Sequence, residues 1–253
     1  MTTKLYDGTV SVTFNAGSHR YKVDGDYKIG CTTILGILNK DGLLQWASNM
    51  AVQAMLDGES PEDAKKAFSR KRDKAGDTGS KVHAWIENHL KGFDQPIDKD
   101  MRPSVNAYMK WERENDIEIL DQERILYSKE HDYCGTVDLV FNMNGKRYVA
   151  DFKTSDTDKE WKKWYTGRRR PRNEHLLQCA LYDQALTEET GLKADAYMVI
   201  YITKEGKLFN FEIDYTDYLK ETALNLVTVY KFYKQLNFKN EWREDERQDH
   251  KEK

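Results

Sequence analysis

Residues 134–155 read CGTVDLVFNMNGKRYVADFKTS. Two runs of alternating character flank Asn144-Gly145, a pair that accepts the left-handed backbone of a type I′ hairpin turn. With those two residues as the loop, opposite positions sum to 289, and this register sets Asp138 across from Asp151. Period-two alternation puts Asp138, Val140, Val149, Asp151 and Lys153 on one face, and Val137, Leu139, Phe141, Tyr148, Ala150 and Phe152 on the other. The second face is an apolar core surface. The first carries two acids and an amine at one end of the hairpin, where sheet packing has little use for them.

Directly opposed carboxylates repel. A divalent cation relieves that repulsion, because a hard ion such as Mg2+ is held by one or two carboxylates with water and phosphate oxygens completing its shell. Lys153 points to the same side, where it can orient or deprotonate a water or neutralise charge on a transferring phosphoryl group. The plain alternative is a solvated hairpin face with incidental charges.

The 253 residues are 39% hydrophobic and 33% charged, with a formal charge of −3, the composition of an ordinary water-soluble globular protein. That net charge does not signal nucleic acid, for which the local distribution matters more. Cys31, Cys134 and Cys179 are widely spaced and form no CxxC or Cys/His cluster. Their pattern fits a reducing compartment and excludes a zinc ribbon, an iron–sulfur cluster or a disulfide framework. The opening residues lack the apolar core of a signal peptide, and no run approaches the roughly 18 apolar residues of a membrane span. The expected location is the cytoplasm, a host's if the chain is phage-encoded.

Around the hairpin the pattern predicts a mixed sheet flanked by helices. Val10 to Cys31 reads as short strands broken at Gly17 and Asp24-Gly25, forming a small hairpin at the edge of the fold. Thr32-Thr33 precede one or two helical turns and then a helix from about Leu43 to Leu56. Ser60-Pro61-Glu62-Asp63 starts a helix rich in Lys and Arg, with Gly76 as its end. The next helix buries Val82, Trp85, Ile86 and Leu90, with Gly79, His83 and Glu87 one turn apart beside that stripe. A glycine there costs helix stability, so something must approach the backbone closely. His83 alone reads as a packed residue.

Asp98 to Asn115 reads as a helix and Ile117 to Tyr127 as a strand carrying Glu123, which an antiparallel sheet brings towards the acids. From Asp151 to Arg172 there are eight Lys or Arg against four Asp or Glu, interleaved with Trp161, Trp164 and Tyr165 and ending in GRRRPR. Charge and aromatics together suit a neutralised backbone and stacked bases, although a surface loop has similar composition. A helix from Asn173 to Gly191 carries Gln178 and Tyr182 on one face. Ala194–Thr203 and Lys207–Ile213 read as strands, and Asp217–Phe238 as a closing helix. The absence of repeats or a linker predicts one domain over residues 1–253, divided into an N-terminal hairpin and helical elaboration (1–115), a core (116–238) and a charged tail (239–253).

These motifs resemble a known family. GTVD ending at Asp138, DFK ending at Lys153, the preceding Glu123, GSKVH ending at His83 and QCALY from Gln178 to Tyr182 are similar to the motifs of the RecB-like branch of the PD-(D/E)XK nucleases. The N-terminal hairpin, TTIL and LLQWA look most like the mitochondrial genome maintenance exonuclease group and its phage relatives. The resemblance implies a restriction-endonuclease-like α/β core with helical elaboration, and a metal-dependent exonuclease acting on DNA at free or single-stranded ends. In this reading Asp138, Asp151, the Phe152 carbonyl and His83 hold Mg2+ or Mn2+, and Lys153 positions the attacking water. Glu123 is a supporting acid near the metal. Gln178 and Tyr182 hold the fold and contact the nucleic-acid backbone. Thr154, Ser155, Lys162, Lys163, Trp164, Arg168, Arg169, Arg170 and Arg172 line the approach.

The lack of clustered cysteines departs from the branches that carry an iron–sulfur cluster, and no GxxxxGK[ST] motif supplies nucleotide-driven motion. The implied partners are DNA and a replication or recombination protein, with no membrane. A restriction-like or structure-specific endonuclease is the first alternative, and a non-catalytic nucleic-acid binder the second.

Overall fold

The computed structural model describes residues 1–38, 41–93, 95–155, 171–214 and 217–238, without the side chains of 41, 42, 72, 74–78 and 236–238. Four short strands lead the chain: β1 (Thr2–Leu5), β2 (Val10–Asn15), β3 (Arg20–Val23) and β4 (Asp26–Gly30). Helices α1 (Cys31–Leu35), α2 (Asp41–Leu56), α3 (Pro61–Ala64), α4 (Ala67–Leu90) and α5 (Arg102–Glu114) follow. Then come β5 (Glu118–Ser128), β6 (Tyr133–Met143), β7 (Lys146–Ser155), α6 (Asn173–Thr190), β8 (Ala196–Thr203), β9 (Leu208–Asp214) and α7 (Asp217–Phe238). The nine strands form one mixed sheet in the order β1-β2-β3-β4-β6-β7-β8-β9, with β5 also paired to β6. The predicted mixed sheet flanked by helices is therefore the observed architecture.

The hairpin turn forms as its chemistry dictates, with φ of 51° at Asn144 and 76° at Gly145. β6 and β7 pair antiparallel from Met143↔Lys146 to Leu139↔Ala150, every pair in the 289 register. β7 then runs parallel to β8 from Tyr148↔Ala196 to Ser155↔Thr203. Helices cover both faces of these strands. On one side α6 and α7 bring Leu181, Ala185, Ala223 and Val227 against Val140, Val149, Tyr197 and Val199. On the other, α4 and α5 bring Val82, Ile86, Val105 and Tyr108 against Leu139, Phe141, Ala150, Met198 and Ile200. Every residue of β8 is buried, as expected of a parallel strand covered on both faces. Each large side chain fully removed from water contributes about 1.5–3 kcal/mol.

Several expectations need correction. The face carrying the acids is not a solvated one, since Val140 and Val149 are core residues under α6. Val137 joins that same layer, whereas Leu139 packs in the opposite one, so the alternation slips at Asp138. Gly76 does not end a helix. Ser60 caps only the single turn α3, accepting from the Asp63 N–H at 3.2 Å, and α4 runs unbroken through Gly76 and Gly79 to Leu90. Packing of Phe68 edge-on to Trp46 of α2 and burial of Val82 and Ile86 hold that helix at both ends, which outweighs a glycine's cost of about 1 kcal/mol. The N-terminal strands form an edge as expected, with β1 added. They join the central sheet through a short parallel ladder, Ile29↔Tyr133 and Gly30↔Cys134. Among the described residues no helix is long and apolar enough to cross a membrane.

Candidate metal centre

The β6–β7 ladder stops at Leu139↔Ala150, one step short of the expected Asp138–Asp151 pair. Opposed carboxylates would repel there, and Asp138 takes over the role of the ladder: its Oδ2 accepts the Phe152 N–H at 2.6 Å. The two strands thus fork at the acids. On the other side of β6, Gln122↔Leu139 and Arg124↔Val137 bracket Glu123, whose φ of 45° is left-handed. A non-glycine residue in that region costs on the order of 1–3 kcal/mol and persists only where its surroundings demand it. Glu123 thus sits opposite Asp138 in a strained backbone conformation, within a β5–β6 register that runs unbroken from Asp121 to Ser128.

Three elements converge on the fork. His83 comes from α4, Glu123 from β5 and Asp138 from β6, and one ligand atom of each lies within 4.8 Å of the other two. His83 Nδ1 is 3.8 Å from Asp138 Oδ2, and its ring stands edge-on to Phe152 at 6.0 Å. Asp151, only 1% exposed, is outside this trio. Its Oδ2 has no partner among the described residues other than the Lys153 ammonium, with which it forms an ion pair.

Burial sets the protonation of these groups, as it disfavours any charge that water no longer solvates. It raises Asp151 to about 6 against the pull of Lys153, with Asp138 adding to the rise. Burial, then Asp138, raises Glu123 to about 8. Asp138 is also raised by burial, with Lys153 and the Phe152 N–H opposing. His83 is lowered to about 4 by burial and is therefore neutral, with a ring nitrogen able to ligate. Burial acts to lower Lys153, but Asp151 and Asp138 more than compensate and hold it as an ammonium. Buried carboxyls held above their usual range, beside a neutral imidazole, make a donor set that fits a divalent cation. Carboxylate oxygens suit Mg2+ and Mn2+, and the imidazole leans towards Mn2+.

α6 closes the site from one layer. Gln178 Nε2 donates to the Tyr182 hydroxyl at 2.5 Å, and with exposures of 6% and 4% the two are a buried brace. Tyr182 in turn lies against Gly135, where a Cβ would come within 2.6 Å of its ring and 2.8 Å of Cys31 Sγ. Any side chain at Gly135 would lift β6 off α6. Thr154 and Ser155 lie at the end of β7, half-buried. Arg172 is the N-cap of α6; its N–H donates to the Tyr201 hydroxyl at 3.0 Å, and its side chain is 4.0 Å from Glu174. Lys162, Lys163, Trp164, Arg168, Arg169 and Arg170 lie outside the described residues.

Sequence reading passed over Asp183, Tyr201 and His175. Asp183 is fully buried near the C-terminal half of α6, and His175 Nδ1 is 2.8 Å from the Tyr201 hydroxyl. Their only signal was a polar residue inside an apolar run. A second cluster, Glu130, His131 and Glu188, has metal-like spacing. There, however, Glu188 accepts the Ser128 hydroxyl at 2.7 Å and the Glu130 N–H at 3.3 Å, which makes it a brace for the β5–β6 turn.

No protein-family model and no curated protein matches the chain. Among solved structures, a candidate exonuclease from Eubacterium rectale is similar at 16% identity over 63% of this chain and 66% of its own, with a TM-score of 0.43. An alkaline exonuclease from Laribacter hongkongensis is 14% identical over 62% and 79%, with a TM-score of 0.38. A phage-related exonuclease from Haemophilus somnus is 11% identical over 83% and 95%, with a TM-score of 0.39. At TM-scores below 0.5 these likenesses leave the functional reading to the geometry of the fork.

Proposed function

We propose that the fork between β6 and β7 is the metal centre of a DNA nuclease, working as an exonuclease on free or single-stranded ends in phage-type replication, recombination or processing. The observation that carries this reading is the meeting of His83, Glu123 and Asp138, from three separate elements, beside the buried Asp151–Lys153 pair. His83, Asp138, Asp151, Glu123 and the Phe152 carbonyl are the ligands. A bound Mg2+ or Mn2+ supplies Lewis acidity and a more acidic water.

The chain's own residues do the rest. Lys153, charged because two acids face it, donates hydrogen bonds and so orients the water and offsets charge on the non-bridging oxygens. It is not the base in that state. Gln178 and Tyr182 hold α6 against β6 and so keep the acids in place. Thr154, Ser155 and Arg172, together with Lys162, Lys163, Trp164, Arg168, Arg169 and Arg170, follow the strand's backbone.

The test is cleavage of end-labelled linear and covalently closed circular DNA, single- and double-stranded, with Mg2+ or Mn2+. Loss of label from linear DNA with intact circles is the expected result. Cut circles would make the protein a restriction-like endonuclease instead, and no cleavage of either would leave a nucleic-acid binder. Asp151→Asn should lose more than the roughly 100-fold typical of a residue that only supports a ligand, with its melting temperature kept. Cleavage by that variant at the parent rate would overturn the assignment.

A further inference from the structure

α4 touches β7 at two steps. Gly79 meets Thr154, and four residues later His83 meets Phe152. Four residues of helix advance about 6 Å, and two residues of strand about 6.6 Å, so the helix and strand run antiparallel in matched register. The first step is unusually close. A Cβ on Gly79 would lie 2.5 Å from Thr154 Oγ1, but 3.6 Å from its Cβ and 3.9 Å from its Cγ2. A hydroxyl oxygen therefore occupies the space a side chain would take, and the glycine lets the helix axis approach by that amount.

We infer that the Gly79–Thr154 contact is a depth stop that sets how close α4 sits to β7, and thereby places the His83 imidazole within reach of Asp138 and Glu123. Gly79 and Thr154 are positioning residues acting through His83. Among the described residues the atoms nearest a Cβ at Gly79 are those of Thr154; the position is buried, its neighbours continue the helix, and alanine would favour that helix by about 1 kcal/mol. This inference rests on the metal reading only for its functional consequence, since the placement of the ring is a property of the metal-free chain.

The test uses Gly79→Ala, Thr154→Ala, the double variant Gly79→Ala/Thr154→Ala, and His83→Ala alone and combined with Gly79→Ala. Removing Oγ1 leaves only ordinary contacts for an alanine at 79, so the double variant should behave as Thr154→Ala does. Two quantities are read without DNA: Mn2+ affinity by titration calorimetry, and the His83 ring resonances in the metal-free protein. Gly79→Ala should shift the His83 resonances and weaken Mn2+ about tenfold or more, the scale of a lost ligand support. The double variant should return both towards Thr154→Ala. Adding Gly79→Ala to His83→Ala should cost nothing further.

Unshifted His83 resonances in Gly79→Ala, or no recovery in the double variant, would overturn the depth stop. A further loss of Mn2+ on top of His83→Ala would show that the contact acts elsewhere. If Gly79→Ala alone fails to fold, the double variant still decides, since it must fold and keep the His83 resonances. Wild-type protein that binds no Mn2+ would sink the metal reading, while the resonances would still judge the stop.

Discussion

Two buried aspartates, one on β7 and one on α6, are in opposite situations. Asp183 is fully buried and surrounded by donors: the Ala194 N–H at 2.8 Å, the Thr187 hydroxyl at 3.3 Å, the Tyr197 hydroxyl at 3.1 Å and the Lys220 ammonium at 3.0 Å. A carboxylate accepts about four hydrogen bonds, so this one is saturated, and it ties α6, β8 and α7 together. Asp151 is almost as buried but among the described residues is paired with one amine, from two residues away, and has Asp138 close enough to raise it further. Burial by itself does not mark a functional acid. The difference lies in how much counter-charge and how many donors each carboxylate has among the described residues.

That contrast breaks if the two centres respond alike to substitution. Asp183→Ala removes the shared acceptor of four donors and breaks the buried pair with Lys220, a loss of about 3–5 kcal/mol, visible as a large fall in the denaturation midpoint. Specific activity of the molecules that remain folded should be unchanged. Lys153→Met should do the reverse. Removing a preorganised donor costs about 10²–10³-fold in rate, measured in the cleavage assay, while the midpoint falls less than in Asp183→Ala, because Asp151, already raised to about 6, can take up a proton. A Lys153→Met protein that unfolds like Asp183→Ala would make the fork a structural ion pair.

The smallest expected effect is in pH. Glu123 titrates near 8 in the folded chain against about 4.3 unfolded. Its raised value favours the folded state fully at low pH, and that contribution is lost as pH climbs through 8. Asp151, raised to about 6, acts in the same direction between about 4 and 6. His83, lowered to about 4 from about 6.5, opposes it there, because stability lost by a depressed histidine returns as pH rises. Asp151 and His83 largely offset each other between about pH 4 and 6, so Glu123 should lower the melting temperature of the metal-free protein as pH rises from about 4.3 to about 8. Added Mn2+ should restore it, since a bound cation would supply counter-charge to the ionised Glu123 carboxylate. A melting temperature in EDTA that is flat across that window would remove Glu123 from the site.

Much of this was legible in the chain. The Asn144-Gly145 turn, the 289 register up to Leu139↔Ala150 and the strand ending at Thr203 depend on backbone preferences and local patterning, and they appear as read. The fork was not legible. Strict alternation predicted a closed Asp138–Asp151 pair, whereas the ladder ends just before it because Asp138 bonds the Phe152 N–H itself. Nothing in IEILDQERILY announces a left-handed residue at Glu123, since that strain is sustained by contacts distant in sequence. Asp183 escaped notice for the same reason: its donors lie up to 37 residues away, at Lys220.

The sequence by itself determined the strands of the core sheet, how the hairpin is registered and which residue types gather near it, because these follow from periods of two and 3.6 and from turn chemistry. Only the tertiary structure decided which carboxylates are saturated with donors and which, among the described residues, have few. That is settled by donors arriving from other elements, and by how closely α4 can approach β7 across Gly79 and Thr154.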